Sequence, residues 1–483
     1  MEAVPAVGAH EVDAWSDEVD VLVIGAGMAG VSAAISAASA GARVLVIDRG
    51  GRLTCTSAMS GGHFYLGGGT AVQQATGWDD TPADMAAYLR EMSPRCDPEK
   101  IRLYASDSVE HFNWLESLGF EFERSYYPHK AVVQPETQGL MFTGNEKCWP
   151  FSEIARPAPR GHKPPFPGDM GGGGFVVELA LKKLEELAVD VRYDTGATAL
   201  VVTDGAVVGA TWRRFGESGA IRARSVVLAA GGFVLNPEMV DAYAPQLGAL
   251  FTRGMALGNA HDDGLGIRLG ESVGGVADHM EGAFFTSPFY PPEGNVRGIV
   301  VNKSGCRFVN EDAYHSRVSA YVFDQPDQAA YLILDSATLE RPSYGFQPLI
   351  DGWETVPEME RGLNLPEGSL VATLGAYNAA APDDPEFHKA PEYVVPLDQG
   401  PWGAYDLTPG ACFYSGFSCG GLRVTPDGQL LQADGSVVAG VYAAGACASN
   451  IAVDGRGYSS GTQMGEASYF GRRAGRHAAR AHS

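Results

Sequence analysis

Residues 19–30 read VDVLVIGAGMAG, a β-branched run that breaks into three glycines, and the segments on either side decide what those glycines do. VSAAISAASAGA (31–42) is rich in alanine and reads as a helix, and RVLVID (43–48) reads as a second buried strand. Strand, turn, helix, strand, with Gly25, Gly27 and Gly30 in G-x-G-x-x-G spacing, is the unit that binds a dinucleotide. Gly25 permits the tight turn, Gly27 lets backbone amides approach a pyrophosphate, and Gly30 lets helix and strand pack closely. Met28 and Ala29 open the helix, whose N-terminus supplies partial positive charge without a lysine. Asp48 closes the second strand, where a carboxylate can bind a ribose diol. Both FAD and NAD(P) use this unit, and Arg49 and Arg52 beyond Asp48 would tolerate a 2′-phosphate, so the unit alone leaves the cofactor open.

The next stretch, RGGRLTCTSAMSGGHFYLGGGT (49–70), is small, hydroxylated and glycine-rich where a nicotinamide domain would continue into a helix. It suits a chain lying along an extended cofactor, with hydroxyls from Thr56, Ser57 and Ser60 and amides near Gly61 and Gly62 as donors; Arg49 joins this cofactor-binding set. Further on, VDVRYDTGATALVVTDGAVVGATWRR (189–214) alternates like a small antiparallel meander. ARSVVLAAGGF (223–233) and GVYAAGACASN (440–450) each return a buried strand to an Ala-Gly turn. Strands of that form spread over the whole length imply one sheet revisited by distant segments, long enough to hold FAD.

The 483 residues suffice for two or three domains. Lys plus Arg number 35 against 58 Asp plus Glu, a net charge of −23. Such a field repels nucleic acid and anionic membranes and does not steer anionic substrates inward, so a neutral or apolar substrate and no nucleic-acid partner are expected. No apolar run reaches the length of an integral membrane segment. The N-terminal MEAVPAVGAHEVDAWSDEVD is acidic, without a basic region or long apolar core, and reads as a loose leader rather than a signal peptide. Seven scattered cysteines without a CxxC pair indicate neither a zinc site nor a disulfide framework; no metal and a cytoplasmic location are expected.

The ordered series VIGAGMAG, TSAMSGG, VVLAAGGF, GIVVNKSGCRFVNED, GGLRV, GVYAAGA and GYSSGTQMGEASYFGRRAG, from Val19 to Arg476, resembles the flavoprotein family of succinate dehydrogenase, fumarate reductase and 3-ketosteroid dehydrogenase. The resemblance implies an α/β fold: a Rossmann-like FAD-binding domain, discontinuous over 1–272 and 407–483, with an inserted α+β substrate (capping) domain over 273–406. It implies noncovalent FAD, since no histidine lies in TCTSAMSGG. Ala230, Gly231, Asp263, Gly445 and Gly461 join the cofactor-binding residues. ARPAPRGHKPPFPGDMGGGG (155–174) is a Pro/Gly-rich excursion, either a lid or a surface loop, and reads better as the loop; Tyr126 and Tyr127, which could line a substrate channel, read better as packing residues.

Carboxylate reducers of this family place a His-rich stretch before the GG and an arginine near the last helix. Here YSGFSCGGL offers Phe417, Ser418 and Cys419, and GYSSG offers Tyr458, with Arg456 nearby. The Tyr-x-Ser of Tyr458 and Ser460, with Tyr314 of NEDAYHSR, resembles the branch that desaturates 3-oxo-5α-steroids between carbons 4 and 5. The resemblance assigns Tyr458 and a backbone amide near Gly461 to the ketone oxygen, Ser460 to the α-proton and Tyr314 to its onward passage. His315, if on a strand, would aim the opposite way. A helix is expected from Gly461, thinned by Gly461 and Gly465 to approach a ring and complemented at its far end by Arg472, Arg473, Arg476 and Arg480. The implied partners are a small apolar ketone or steroid and an unknown electron acceptor. The alternatives are 1,2-desaturation or another enone or ketone reaction, a flavin-containing binding protein without turnover, and an NAD(P) dehydrogenase.

Overall fold

The computed structural model describes residues 4–168 and 171–481. Residues 1–3 of the expected leader, and Asp169 and Met170 of the Pro/Gly-rich excursion, lie outside the described residues.

The glycine turn sits where the opening motif requires it. Strands β1 (Val7–Gly8) and β2 (Asp17–Ile24) precede helix α1 (Met28–Ser39) and β3 (Val44–Ile47). Helix α2 (Gly172–Glu186) leads into β4 (Asp190–Arg192), which runs parallel to β3 rather than joining the meander expected over 189–214; β5 (Gly196–Thr203) and β6 (Ala206–Arg214) are antiparallel, and β7 (Glu217–Leu228) extends them. The middle of the chain supplies β8 (Ile299–Asn302), α3 (His315–Phe323), β9 (Ala330–Asp335), β10 (Leu349–Trp353) and β11 (Trp402–Asp406). Strand β12 (Val437–Ala443) and helix α4 (Thr462–Arg480) close it.

The long β7 ties these pieces into one nine-stranded sheet of order β1-β5-β6-β7-β2-β3-β4, which β12 and the short Gln429–Leu431 strand complete. On one edge its residues 217–222 pair antiparallel with β6, and residues 226–228 then pair in parallel with 441–443 of β12. Its other edge runs parallel to β2. A segment more than 200 residues downstream thus enters the centre of a Rossmann-like sheet. Residues 21–24 of β2 and 44–47 of β3, where the two strands pair, are buried on both faces, as a parallel sheet covered by helices demands. Residues 299–406 build a second sheet, antiparallel, of order β8-β9-β11-β10, with its own apolar clusters on either face.

Two expectations are corrected here. The leader is not loose from Val7 onward: β1 adds to the sheet edge beside β5, and Trp15 lies under Arg222 at 5.3 Å. A backbone edge with unpaired amides captures even a two-residue partner. The Pro/Gly-rich excursion is not a surface loop either. Ala158, Arg160, His162 and Lys163 are fully buried, Gly161–His162 is the central strand of a small sheet, and Gly172 and Gly173 pack against the backbone of residues 57–61.

Helix α4 lies along α1, and small residues bring the two backbones together. A Cβ added at Gly471 would overlap the Ala29 carbonyl, and one at Gly475 would overlap the Ala33 carbonyl. Both obstacles are backbone, which cannot swing aside. Gly471→Val is expected to cost about 3 kcal/mol, at the upper end for overpacking, measured as a lowered midpoint in thermal or urea unfolding. Among the described residues no helix is long and apolar enough to cross a membrane.

Candidate active site

The three glycines of the opening turn do different work. Gly25 has φ of 111°, and a Cβ there would overlap the Ala229 carbonyl at the end of β7. A Cβ at Gly30 would overlap the Gly25 carbonyl. Both glycines are required by the protein itself. Gly27 is not: its Cβ would meet nothing nearer than the Ser57 hydroxyl at 3.5 Å. The space in front of Gly27, at the N-terminus of α1, fits a phosphate-bearing ligand. Asp48 braces the turn, accepting from the Ala26 amide (2.6 Å) and the Gly50 amide (2.7 Å), and burial holds its carboxyl above the ordinary range.

The other cofactor candidates gather at the same end of the sheet. Ser57 accepts from the Met28 amide at 3.1 Å, and Ala29 packs under Gly445. Ser60 donates to the Ser57 carbonyl at 2.8 Å and accepts from Gly62, while Gly61 and Gly62 face Gly172. Thr56 donates to Asp262 and accepts from Asn259. Asp262 also takes the space beside Gly231, and burial raises its carboxyl to about 6. Asp262 was not singled out in the sequence, where Asp263 was. Asp263 instead grips Arg49 through both guanidinium nitrogens at 2.9 and 2.7 Å. Arg52 is held by Glu178 and Glu185. With both arginines matched by carboxylates, the site fits a dinucleotide without a 2′-phosphate, as FAD is.

The hydroxyls before the last helix are clamped from all sides. The Ser460 amide donates to the Thr143 carbonyl (2.7 Å), and the Thr143 hydroxyl donates back to the Ser460 carbonyl (2.9 Å). Ser459 shares a hydrogen bond with Tyr88 at 2.7 Å, in the space that Gly144 leaves by lacking a side chain. Gly461 caps α4 with φ of 93°, and its carbonyl accepts from the Tyr65 amide at 3.0 Å. The expectation that Gly461 and Gly465 thin the helix for a ring is corrected: a Cβ at Gly461 would meet His63 and the Tyr65 amide at 2.9 Å, and one at Gly465 would strike the Tyr104 hydroxyl. These glycines make room for the Phe64–Tyr65 strand and its neighbours.

Tyr314, Ser460 and Tyr458 converge. Tyr458 and Tyr314 share a buried cluster with Phe284, Cys419 and Ala452, against which Leu257 and Phe417 pack. The Tyr458 ring stands edge-on to Phe284 (4.6 Å) and Phe417 (5.6 Å). Burial drives the Tyr458 phenol well above its ordinary pKa, Tyr314 adds to this, and the Gln463 amide at the start of α4 pulls the other way. Tyr314 precedes α3, anchored by its amide on the Asn145 side chain at 2.8 Å. Its phenol is likewise raised by burial and by Tyr290, with a hydrogen bond to Ser460 opposing. His315 is not on a strand: it opens α3 and its ring lies 3.9 Å from that of Tyr314, bonded to Thr286 at 2.6 Å.

Three residues around these hydroxyls were missed from the sequence, as Asp262 was. His63 places Nδ1 3.4 Å from the Ser460 hydroxyl, and its Nε2 meets the Gln134 side-chain oxygen. That oxygen accepts only, so Nε2 carries the proton and Nδ1 turns a lone pair to Ser460. Burial lowers the imidazole to about 4. A labelled-imidazole NMR titration is therefore expected to show His63 unchanged between pH 5.5 and 9; a midpoint near its ordinary value of about 6.5 would refute the neutral tautomer. The third, Glu146, is buried below Tyr65 and Gly144. His63 follows the Gly61-Gly62 pair directly, which was the available signal; Gln134 and Glu146 carried none.

Arg456, the cation left near the last helix, is half-exposed and paired with Asp324 at 2.6 Å. Ser418 accepts from the Phe233 amide. The cluster around Tyr458 is thus aromatic and aliphatic, unsuited to a dicarboxylate and suited to a neutral apolar ketone.

A family model described as FAD binding domain matches residues 20–462. The 3-oxo-5-alpha-steroid 4-dehydrogenase of Comamonas testosteroni is 28% identical over 513 residues, spanning 91% of this chain and 94% of that relative. The cytochrome fumarate reductase of Shewanella frigidimarina is 26% identical over 499 residues, spanning 96% and 77%. Among solved structures, the 3-ketosteroid-delta4-(5alpha)-dehydrogenase of Rhodococcus jostii RHA1, in complex with 4-androstene-3,17-dione, superimposes with a TM-score of 0.92 at 39% identity, covering 99% of this chain and all of that one.

Proposed function

The chain belongs to the FAD binding domain family as an FAD-dependent oxidoreductase, and from that premise we propose that it desaturates 3-oxo-5α-steroids between carbons 4 and 5, within steroid breakdown. The observation that carries this reading is the convergence of the Tyr314, Ser460 and Tyr458 hydroxyls on an aromatic cluster. Asp48, the turn around Gly27 and the segment 56–62 are the residues that would hold FAD, noncovalently, and when bound FAD supplies the acceptor for a hydride.

The rest is done by the chain. Tyr458, too buried to ionise, keeps its proton and donates it to the ketone oxygen, with the backbone at Gly461 as second donor; this stabilises the negative charge that develops as the α-proton leaves. Ser460 takes that proton. A serine is a weak base alone, and here its own hydroxyl proton is shared between the Tyr314 oxygen and the His63 lone pair, so charge need not accumulate on one oxygen. The apolar wall of Phe284, Phe417 and Leu257 excludes water and seats the steroid rings.

Anaerobic mixing with a 3-oxo-5α-steroid should bleach the oxidised flavin band and yield the 4-ene product. If the flavin stays yellow with that substrate but bleaches with a 4-ene-3-oxosteroid, 1,2-desaturation replaces this reading. We also assign the protein to the cytoplasm, in keeping with seven free thiols. The electron acceptor that reoxidises the flavin is a separate partner.

A further inference from the structure

Tyr314 has two sides. One belongs to the apolar cluster with Tyr458. The other lines a cavity of about 570 Å³ that runs outward through charged walls. Lys130, Lys147, Glu293, Arg297 and Asp312 are among its lining residues, and Gly144 and Glu146 lie at its inner end beside Tyr314. Rings of Phe142, Tyr290 and Tyr393 stand among these charges, and water finds polar partners throughout: the volume far exceeds the ~10–15 Å³ that one water needs.

Glu146 is the buried carboxyl at that inner end, only 1% exposed. Its oxygens accept from the Tyr65 hydroxyl (3.0 Å) and the Gly144 amide (3.0 Å). Arg160, whose charge Glu146 feels, bonds Asp80 at 3.0 and 2.7 Å and makes no ion pair with Glu146. Glu146 therefore has hydrogen bonds but no ion pair of its own, and its charge is felt by Tyr314.

Resting on the desaturation proposed above, we infer that this cavity is the exit for the substrate's α-proton and that Glu146 receives the proton from Tyr314. The substrate's α-C–H bond breaks, and its electron pair stays on the substrate as the enolate. The proton forms a bond to the Ser460 oxygen while the serine's own proton passes to the Tyr314 oxygen. The Tyr314 proton moves through cavity water to the Glu146 carboxylate, which becomes a carboxylic acid and releases it to the solvent. No other reactant is needed. Glu146 acts through Tyr314 and does not touch the substrate.

Burial raises the Glu146 carboxyl, against the pull of Arg160 and its own hydrogen bonds, so it stands closer to neutrality than an exposed glutamate. Tyr65, Tyr88 and Arg160 face it from the protein interior. Across the cavity stand Cys148, Tyr290, Lys130 and Asp312; the thiol and the phenol are pushed up by burial and stay neutral. Only the ionised carboxylate accepts a proton, so the rate should rise with pH as Glu146 ionises.

The test follows flavin reduction in the holoenzyme by stopped flow, with a 3-oxo-5α-steroid, across pH 5 to 9. Glu146→Gln should lower the limiting rate by about 10²-fold and abolish its acid limb, with flavin content and steroid affinity unchanged. Glu146→Asp should keep the limb at an intermediate rate. In Glu146→Ala, added formate, small enough for the cavity, should restore part of the rate; a structural defect would not respond. A Glu146→Gln rate within twofold of the unmodified enzyme overturns the inference, as does a pH-independent rate in the unmodified enzyme. If no steroid reduces the unmodified enzyme at all, the desaturation reading itself has failed.

Discussion

Tyr458→Phe should reduce the limiting rate of steroid-driven flavin reduction by about 10²–10³-fold, the usual loss when one donor to a developing oxyanion is removed. The ring of Phe keeps the edge-on contacts with Phe284 and Phe417, so the pocket and the bound flavin should survive. Steroid affinity should change little, because a neutral ketone accepts a weaker hydrogen bond than an enolate does. The flavin spectrum, a steroid titration and the single-turnover rate separate these effects. A protein that only binds its ligand would show a modest affinity change and no rate to lose. Unaltered turnover would remove Tyr458 from the mechanism.

The second large effect lies outside the pocket. RFVNEDAYHSR is charged, yet Arg307, Glu311 and Asp312 within it are buried. Arg307 binds Glu311 at 2.7 and 2.9 Å and Asp384 at 2.8 Å through two nitrogens, and Lys389 approaches Glu311 at 3.4 Å. Burial alone would raise the two carboxyls, but their cations hold both below the ordinary range. Arg307→Met strips Glu311 and Asp384 of their main partner in a low-dielectric interior. The expected cost is about 3–5 kcal/mol, visible as a thermal midpoint lowered by several degrees. Since Tyr314 follows on the same segment, turnover should fall as well. Because both carboxyls have depressed values, their contribution is present above the ordinary carboxylate range and is lost as pH falls below it. The acid limb of stability should therefore flatten in Arg307→Met. An unchanged midpoint would mean that β8, α3 and their packing hold this segment without the ionic cluster.

Local chemistry made the opening unit readable. Gly25 and Gly30 answer to backbone carbonyls within the same strand-turn-helix or its neighbour, and the hydroxyls of GYSSG stand at a helix mouth marked by Gly461. Arg49 was read as tolerating a 2′-phosphate, because its partner Asp263 stands 214 residues away. The leader and the Pro/Gly-rich excursion misled for a related reason. Composition reports how a segment would behave in water, and it carries no record of an open sheet edge or a groove that receives it. Gly461 and Gly465 looked like a thinned helix, and only packing reveals that the Phe64–Tyr65 strand, His63 and Tyr104 fill the space.

From the sequence alone follow the nucleotide-binding turn, the hydroxyls placed at the last helix and the want of cations among them, because each depends on residue type and short-range spacing. The tertiary structure decided which groups stand next to those hydroxyls: His63 beside Ser460 across 397 residues, Glu146 beyond Tyr314, and carboxylates on both arginines near Asp48. Proton transfer and charge pairing act over a few ångströms in space, and separation along the chain does not predict that distance.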